Sequence, residues 1–332
     1  MTPRPLPPLE ICLTVDVEGD VNGAFVDPEG RRPLLREAIW REAGGISHGL
    51  GFLLETLRAH RLPATFFLET AQMFCFGPET MGRVSRVILG EDEGHDIQPH
   101  LHPAWRFFAH GDWRERIRAG ERPQDALADL SPEALDTLLP ECRDIFHGMT
   151  GRMPSGFRGG NLSVNAHVHP ALARAGFSFA SCVGRGYFTP REPGLRWSGG
   201  VHAVGGVVEV PVSSFRLTPL PWGPWRLLTV AGTPWREMDH LLRQAAALGA
   251  GPVVILTHPS EFAEPLDGDG RAYRPREAIQ ARFRRLCALL AGEPERWRVV
   301  GLAQAAQAEP RVAGRVLHGA WQGPWQRRRE NG

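Results

Sequence analysis

The chain has 332 residues, of which 42% are hydrophobic, and it carries 38 basic and 37 acidic side chains. This composition allows a large buried core and excludes a disordered chain. Because the net charge is close to zero, it gives no long-range field to attract a nucleic acid or an anionic membrane, and we expect neither as a partner.

All basic side chains are arginines, since the sequence contains no lysine. Schiff-base chemistry through a lysine and a phosphate loop of the GxxxxGK type are therefore excluded. The cysteines are far apart and form no CxxC pair, so we predict buried thiols without disulfides or a thiolate zinc site; they are Cys12, Cys75, Cys142, Cys182 and Cys287.

No apolar run approaches the roughly 20 residues of a membrane span, and the first residues lack the apolar part of a secretory signal. We therefore expect a cytoplasmic protein.

Short β-like apolar runs alternate with stretches of helical periodicity, which is typical of a mostly parallel sheet. The predicted strands are 11–17, 64–68, 96–102, 156–158, 178–182, 207–212, 253–257 and 298–301. The predicted helices cover about residues 46–60, 79–89, 132–148, 164–175, 235–248 and 276–291. Ser131 and Pro132 have the residue types of an N-cap and a first helical position. Seven or eight βα units without a repeat predict an α/β fold, a single barrel-like (β/α) domain. The alternative is an open doubly wound sheet.

We expect residues 1–309 to form one catalytic domain and residues 310–332 to form a solvated tail. Two long segments, 103–129 and 187–234, interrupt the alternation of strands and helices. Insertions of this length are commonly loops around a site, with disorder as the alternative. Four aromatic side chains in the first insertion could form a sugar-binding lid or could simply pack the insertion down; they are Trp105, Phe107, Phe108 and Trp113.

The first predicted strand, ICLTVDVEGD, ends in two carboxylates. Side chains alternate along a strand, so Asp16 and Glu18 lie on the same face as Thr14. In barrels and open α/β sheets the carboxyl ends of the strands are where sites form. The simpler interpretation is an acidic turn before Gly19.

The third predicted strand, in GHDIQPHLHPAW, places His100 and His102 on one face. Neutral imidazole is a common ligand for zinc and similar metals, and this spacing lets two rings approach one ion. With Glu18, the pair would leave a coordination position open for water.

Two further predicted strands lead to polar side chains: one ends at Arg158, in GFRGG, and the other is followed directly by His258, in ILTHP. An arginine can hold a carboxylate in its ionised form, and a histidine can protonate a leaving group.

In these four motifs the chain resembles the polysaccharide deacetylases of the carbohydrate esterase type, which share a chitooligosaccharide-deacetylase homology domain. The likeness runs in order from Ile11 to about Phe262. It implies a deformed (β/α) barrel with about seven parallel strands and long loop insertions. It further implies Asp16 as catalytic base, Arg158 as the partner of the base and His258 as general acid. It also implies a divalent metal bound by the three ligands Glu18, His100 and His102.

The sequence departs from the family pattern at two points. Val17 separates the two acids, which are adjacent aspartates in the common pattern, and Ala104 occupies the usual position of the second histidine. His102 must then take that role, or the metal site is incomplete. The second HxH, His167 and His169, lies in a predicted helix, where its two rings diverge, so we do not expect a metal there. Glu209 and Glu261 are weaker candidates for supporting roles.

The residues, taken with this resemblance, predict a metal-dependent hydrolase that removes an N-acyl group, in first place acetyl, from a sugar. Zinc is the expected metal, with cobalt, nickel or iron as alternatives. The expected substrate is an N-acylated sugar, a sugar nucleotide or a lipid-linked glycan precursor. Two other functions stay open: an amidase or deformylase that acts on a C–N bond outside sugars, and a non-catalytic carbohydrate-binding relic of the fold.

Overall fold

A computed structural model describes residues 7–90, 94–218, 222–267, 269–308, 311–312 and 316–319. The tail expected at 310–332 falls largely outside these residues. The α-helices in the described part are α1 (Arg36–Trp40), α2 (Leu50–His60), α3 (Met73–Phe76), α4 (Glu79–Leu89), α5 (Trp113–Arg118), α6 (Pro132–Thr150), α7 (Val168–Arg174), α8 (Trp235–Leu248), α9 (Glu277–Gly292) and α10 (Leu302–Ala305).

The strands of the described residues follow the predicted order, with short additional strands between them. They are β1 (Leu9–Val17), β2 (Glu42–Ala43), β3 (Ile46–Ser47), β4 (Thr65–Glu69), β5 (Asp96–Leu101), β6 (Gly156–Gly159), β7 (Phe179–Ala180), β8 (Gly200–Val204), β9 (Val207–Glu209), β10 (Ser214–Arg216), β11 (Trp225–Leu227), β12 (Val253–Thr257), β13 (Ala263–Pro265), β14 (Tyr273–Pro275), β15 (Trp297–Val299), β16 (Arg311–Val312) and β17 (Leu317–His318).

The largest sheet has the strand order β12-β1-β4-β5-β6-β7-β9-β8-β16, and β15 pairs with the start of β1. Neighbours from β12 to β9 pair in parallel, whereas β8 and β16 pair antiparallel. The sheet curls because Ser213 and Val230, which follow β9 and β11, donate backbone hydrogen bonds to Val254 and Leu256 of β12, each at 3.1 Å. The fold is therefore a deformed (β/α) barrel, which confirms the prediction over the open sheet.

Strand register brings the candidate residues to one edge of the sheet. His100 of β5 pairs with Glu69 of β4 on one side and with Arg158 of β6 on the other. On β1, Asp16 pairs with Phe67 of β4, and Val15 pairs with Thr257, the last residue of β12. The carboxyl ends of these strands thus lie together, where a site forms in this class of fold.

The two faces of β1 have different surroundings. Ile11, Leu13, Val15 and Val17 are buried in the largest apolar cluster, with side chains of α2, α4, α8 and α9. Burial of each such side chain stabilises the fold by roughly 1.5–3 kcal/mol. The other face carries Thr14 and Asp16, which are also buried but contact polar groups. The alternation read from the sequence is therefore confirmed.

The described residues of both insertions contain regular secondary structure. Residues 103–129 contain a 3₁₀-helix (Pro103–Ala109) and α5, and Trp105, Phe108 and Trp113 are buried against each other and against Phe25. The lid interpretation is wrong for these three rings, because they fill the core beneath the insertion. Segment 187–234 contributes β8 to β11.

Several local predictions can be compared directly with the structure. The Ser131 hydroxyl accepts a hydrogen bond from the Ala134 N–H at 3.2 Å, so the predicted N-cap is confirmed. The helix predicted at 46–60 begins only at Leu50, because the glycine pair Gly44 and Gly45 turns the chain between β2 and β3. The cysteines are free thiols, of which four are buried as predicted, whereas Cys75 is only partly buried. Within the described part of the chain, no helix combines the length and the apolar character needed to span a bilayer.

Candidate active site

The innermost group of the site is an ion pair between Asp16 and Arg158. The Arg158 guanidinium is fully buried, and its Nη1 donates to Asp16 Oδ1 at 2.7 Å and to Thr14 Oγ1 at 3.0 Å. Its Nε and Nη2 donate to the carbonyl and hydroxyl oxygens of Ser181, at 3.1 and 2.8 Å, and the group lies 4.1 Å from the centre of the Phe67 ring. This buried charge is therefore fully paired and held in one orientation.

The second carboxylate oxygen of Asp16 faces the centre of the site. Asp16 Oδ2 lies 4.0 Å from Nε2 of His100 and 3.9 Å from Nε2 of His258. Since Arg158 occupies only Oδ1, Oδ2 stays available to accept a proton from a molecule that enters between these rings.

Glu18 and the two histidines of the HxH motif converge beside this oxygen. Glu18 Oε2 lies 3.2 Å from His100 Nε2 and 3.0 Å from His102 Nε2. Among the described residues, these three and Glu69 form the group of possible metal ligands, with one ligand atom of each within 4.8 Å of the others.

The other ring nitrogen of each histidine contacts an oxygen atom. His100 Nδ1 lies 3.0 Å from the carbonyl oxygen of Arg158, and His102 Nδ1 lies 2.8 Å from Asp125 Oδ2. A carbonyl and an ionised carboxylate can only accept, so each Nδ1 carries the hydrogen. In the neutral ring the lone pair is then on Nε2, and both lone pairs point toward Glu18 Oε2. Such fixing of the remote nitrogen is typical of histidines that bind metals.

These groups fit a divalent metal. Three electron-pair donors converge, and they repel one another unless a proton or a cation lies between them. Burial alone would raise the pKa of Glu18, but the His102 and His100 rings outweigh it and hold this pKa well below its usual range. Burial likewise opposes a charge on His102, yet Glu18 and Asp125 raise its pKa well above the usual value. One carboxylate and two imidazoles are a common donor set for zinc.

Asp125 contacts both the His102 side chain and the main chain of residue 104, the position at which the sequence departs from the pattern it resembles. Asp125 accepts from His102 Nδ1 through Oδ2 and from the Ala104 N–H through Oδ1, at 2.8 and 3.2 Å. Ala104 thus takes part through its backbone alone. The structure brings His102, and no side chain of residue 104, to Glu18. The role of His102 as a metal ligand stays a prediction.

His258 lies on the opposite side of Glu18, after β12. Its Nε2 is 3.9 Å from Glu18 Oε1, and its Nδ1 is 3.2 Å from Glu261 Oε1. Glu261 Oε2 also accepts from the Thr257 hydroxyl at 2.6 Å. Burial disfavours the charged ring, but Glu261, Glu18 and Asp16 outweigh it and raise the pKa of His258 to about 9. The ring can therefore hold a proton at neutral pH.

Sequence reasoning missed two carboxylates that support the site. Asp125 lies in the first insertion, and nothing in its local sequence distinguishes it. Glu69 ends β4 and is fully buried, where its two oxygens accept from the backbone N–H groups of Ala71 and His102 at 2.8 and 2.7 Å. Burial raises the pKa of Glu69 to about 7. The sequence TFFLET, in which an acid ends an apolar strand, indicates that Glu69 could belong to the site.

The second HxH motif lies apart from the site. His169 is in α7, and its Nε2 pairs with Glu209 Oε2 at 3.0 Å in a buried pair. Glu209 Oε1 accepts from the N–H groups of Cys182 and Val183, at 2.8 and 2.9 Å. Glu209 thus fixes the chain just after Ser181, which holds Arg158. His167 precedes α7 and is exposed.

Comparison with known proteins gives a fold but no sequence family. No family profile and no curated protein matches the sequence. The structure is similar to that of a protein assigned as a polysaccharide deacetylase from Mycobacterium smegmatis, with 21% identity, a TM-score of 0.52, and coverage of 97% of this chain and 99% of that one. This likeness confirms the fold that the resemblance predicts.

Other similar structures are carbohydrate esterases. A family 4 acetyl xylan esterase from Clostridium thermocellum, solved with a cobalt ion, has 14% identity, a TM-score of 0.40 and coverage of 89% of each chain. A family 4 carbohydrate esterase from Streptomyces lividans, solved with acetate, has 14% identity and a TM-score of 0.39, over 87% of this chain and 91% of that one.

Proposed function

We propose that the protein is a metal-dependent hydrolase of the polysaccharide deacetylase family that removes an N-acyl group, in first place acetyl, from a sugar. The observation that carries this proposal is the convergence of Glu18 Oε2 with Nε2 of His100 and His102, at 3.2 and 3.0 Å, beside a carboxylate paired with a buried arginine. The fold shared with the Mycobacterium smegmatis protein supports it.

Glu18, His100 and His102 would hold the metal, with zinc as the first choice. When bound, a divalent metal supplies Lewis acidity, which acidifies water and polarises a carbonyl oxygen. The chain's own residues do the rest. Because both Nδ1 atoms donate to fixed oxygens, the two rings need no reorganisation to present Nε2.

Asp16 would act as the general base. Arg158 holds Oδ1, so Oδ2 is the oxygen that accepts a proton from the attacking water. The water oxygen then forms a bond to the carbonyl carbon of the amide. Proton transfer to a positioned base contributes typically about 10² to 10⁴ in rate.

His258 would act as the general acid. Its Nδ1 is held by Glu261, and its Nε2 lies 3.9 Å from both Asp16 Oδ2 and Glu18 Oε1. When the C–N bond breaks, Nε2 gives its proton to the departing amine nitrogen. The base and the acid thus face one space from two sides, which permits attack and departure on the same carbonyl carbon.

The test is amine release from a panel of N-acetyl and N-formyl compounds, by protein purified without chelator. We expect release from N-acetyl sugars, loss of it after chelation, and its return when metal is added. Release only from compounds that are not sugars would favour the amidase or deformylase. A protein that binds sugars, but does not bind metal and does not hydrolyse the sugars, would be the non-catalytic relic.

A further inference from the structure

Two arginines from separate segments of the chain share one aromatic ring. The guanidinium carbon of Arg185 lies 4.1 Å from the centre of the Trp225 indole, and that of Arg216 lies 4.6 Å from it. Trp225 opens β11, and Arg216 ends the antiparallel partner β10 directly opposite. Stacking on an indole holds a guanidinium in place while leaving the edge with its N–H groups free.

Neither guanidinium has an acidic partner within the part of the chain that the structure describes. Arg185 Nη1 donates to the carbonyl oxygen of Arg196 at 3.2 Å, and Arg216 Nη1 donates to that of Gly223 at 2.9 Å. Among the described residues, no further acceptor is recorded for either guanidinium. Burial and the neighbouring charges of Arg216 and Arg196 lower the pKa of Arg185, as expected where like charges gather. By contrast, Arg174 and Arg243 pair with carboxylates.

A short turn joins this pair to the catalytic side chains. Residues 184–188 follow β7, and Gly186 packs against β11 so closely that a Cβ would lie 2.2 Å from the Arg226 carbonyl carbon. This contact fixes Arg185 beside Trp225. On the same turn, the Tyr187 hydroxyl donates to Asn161 Oδ1 at 3.2 Å.

The contacts continue from Asn161 to a predicted metal ligand. Asn161 Nδ2 donates at 2.7 Å to Asp125 Oδ2, the oxygen that also accepts from His102 Nδ1. The Tyr187 ring is 67% exposed, so it offers an aromatic face on the turn that connects the arginine pair with the site. Hydrogen bonds and one short turn thus connect the arginine pair with His102.

We propose that Arg185 and Arg216, stacked on Trp225, form an anion subsite that binds a phosphate group of the substrate. This inference rests on the proposed function, because it assigns the N-acyl sugar to the class of sugar phosphates and diphosphate-linked sugars. Two guanidinium edges, with Arg196 as a third nearby charge, match a phosphate dianion better than a singly charged carboxylate. Free, nucleotide-linked and lipid-linked sugar phosphates share this chemistry.

The experiment compares kcat/KM of the metal-loaded protein on N-acetylglucosamine, its 1-phosphate, its uridine diphosphate ester and a short-chain polyprenyl diphosphate ester. Arg185→Gln and Arg216→Gln should each lower kcat/KM on the phosphorylated sugars about 10- to 100-fold, the equivalent of a charge-assisted hydrogen bond. The neutral sugar should change less than about twofold. Whichever phosphorylated sugar loses most identifies the source of the phosphate.

The matched control is Arg226→Gln, which removes an exposed arginine next to Trp225 whose side chain lies on the other face of β11. It should affect no substrate. Arg185→Lys and Arg216→Lys keep the charge but not the planar fork, so they should show intermediate losses; they carry the test if a glutamine variant does not fold. Equal losses on neutral and phosphorylated sugars would overturn the proposal.

Binding of inorganic phosphate, measured by calorimetry, separates this inference from the proposed function. If no N-acetyl sugar is hydrolysed but phosphate affinity still falls in both glutamine variants and not in Arg226→Gln, the anion subsite stands and the hydrolase is refuted. If sugars are hydrolysed and phosphate affinity is the same in all variants, the hydrolase stands and the subsite is refuted.

Discussion

The inner and outer halves of the site are held in different ways. The inner half consists of three strand residues, Asp16, His100 and Arg158, which are positioned by the register of β1, β5 and β6. At most 5% of the surface of each side chain is exposed. The outer half, Glu18, His102 and His258, follows the ends of strands and has 18–26% of its side chains exposed. The two histidines of HxH therefore belong to different halves.

This difference separates what the sheet dictates from what the loops add. The partner of His100 Nδ1 is a main-chain carbonyl of the adjacent strand, which no substitution removes. The partner of His102 Nδ1 is the Asp125 side chain from an insertion. We therefore expect substitutions in the inner half to affect chemistry, and substitutions around the outer half to affect metal binding and substrate choice.

The largest effect should come from Asp16→Asn in the inner half. Asparagine is nearly isosteric but cannot accept the proton of water, so kcat should fall by about 10² to 10⁴ while the metal content is unchanged. Both are measured on the same preparation, with amine release and elemental analysis. Asp20→Asn, an exposed acid four residues later, is the control. Near-normal turnover would place the base elsewhere, with Glu261 the next candidate.

His258→Ala tests the acid of the outer half. An N-acetyl sugar has a poor leaving group, so the rate of its hydrolysis should fall by about 10² or more. The leaving group of an activated acetyl ester departs without protonation, so the rate of ester hydrolysis should fall less than about tenfold. Parallel assays of both substrates provide the comparison. Equal losses would make His258 a positioning residue.

Return of metal to chelator-treated protein should stabilise both halves together. A ligand that binds only the folded state contributes about 2.7 kcal/mol at 100 times its Kd, which corresponds to a rise in Tm of several degrees. The melting curve is measured with and without zinc. His102→Ala should lose this response. A full response in that variant would remove His102 from the ligand set.

Asp125→Asn should have a smaller effect, confined to the outer half. The amide weakens control over the His102 ring, and loss of such a partner typically lowers metal affinity about 10- to 100-fold. Competition with a coloured chelator measures the affinity. Asp112→Asn, which removes an exposed acid of the same insertion, should change nothing. Unchanged affinity in Asp125→Asn would show that the insertion does not orient His102.

The inner half, together with Glu18 and His258 of the outer half, could be predicted from the sequence because strands have a fixed period and end at the end of an apolar run. Alternation alone places Thr14, Asp16 and Glu18 on one face, and the end of an apolar run marks each strand end. Arg158 and His258 are likewise polar residues at the ends of apolar runs, although their spacing does not tell which strands become neighbours. Strand order and register, which bring Arg158 to Asp16, come from the three-dimensional fold.

The outer half could be predicted only in part, because loops have no period. Asp125 reaches His102 across 23 residues of sequence, through an insertion whose path depends on buried rings such as Trp105 and Phe108. The same rings look like a sugar platform when only their composition is considered. Arg185 and Arg216 lie on separate segments, and only the packing of Gly186 on β11 shows that they share Trp225.

The most direct test of the metal site is anomalous X-ray diffraction from crystals of the zinc-loaded protein. We predict one strong peak bonded to Glu18, His100 and His102, at the typical zinc distances of about 2.0–2.2 Å, with an open position that faces Asp16 Oδ2 and His258 Nε2. A peak that lies elsewhere, or a zinc ion bound without His102, would contradict the ligand set and with it the proposed hydrolase mechanism.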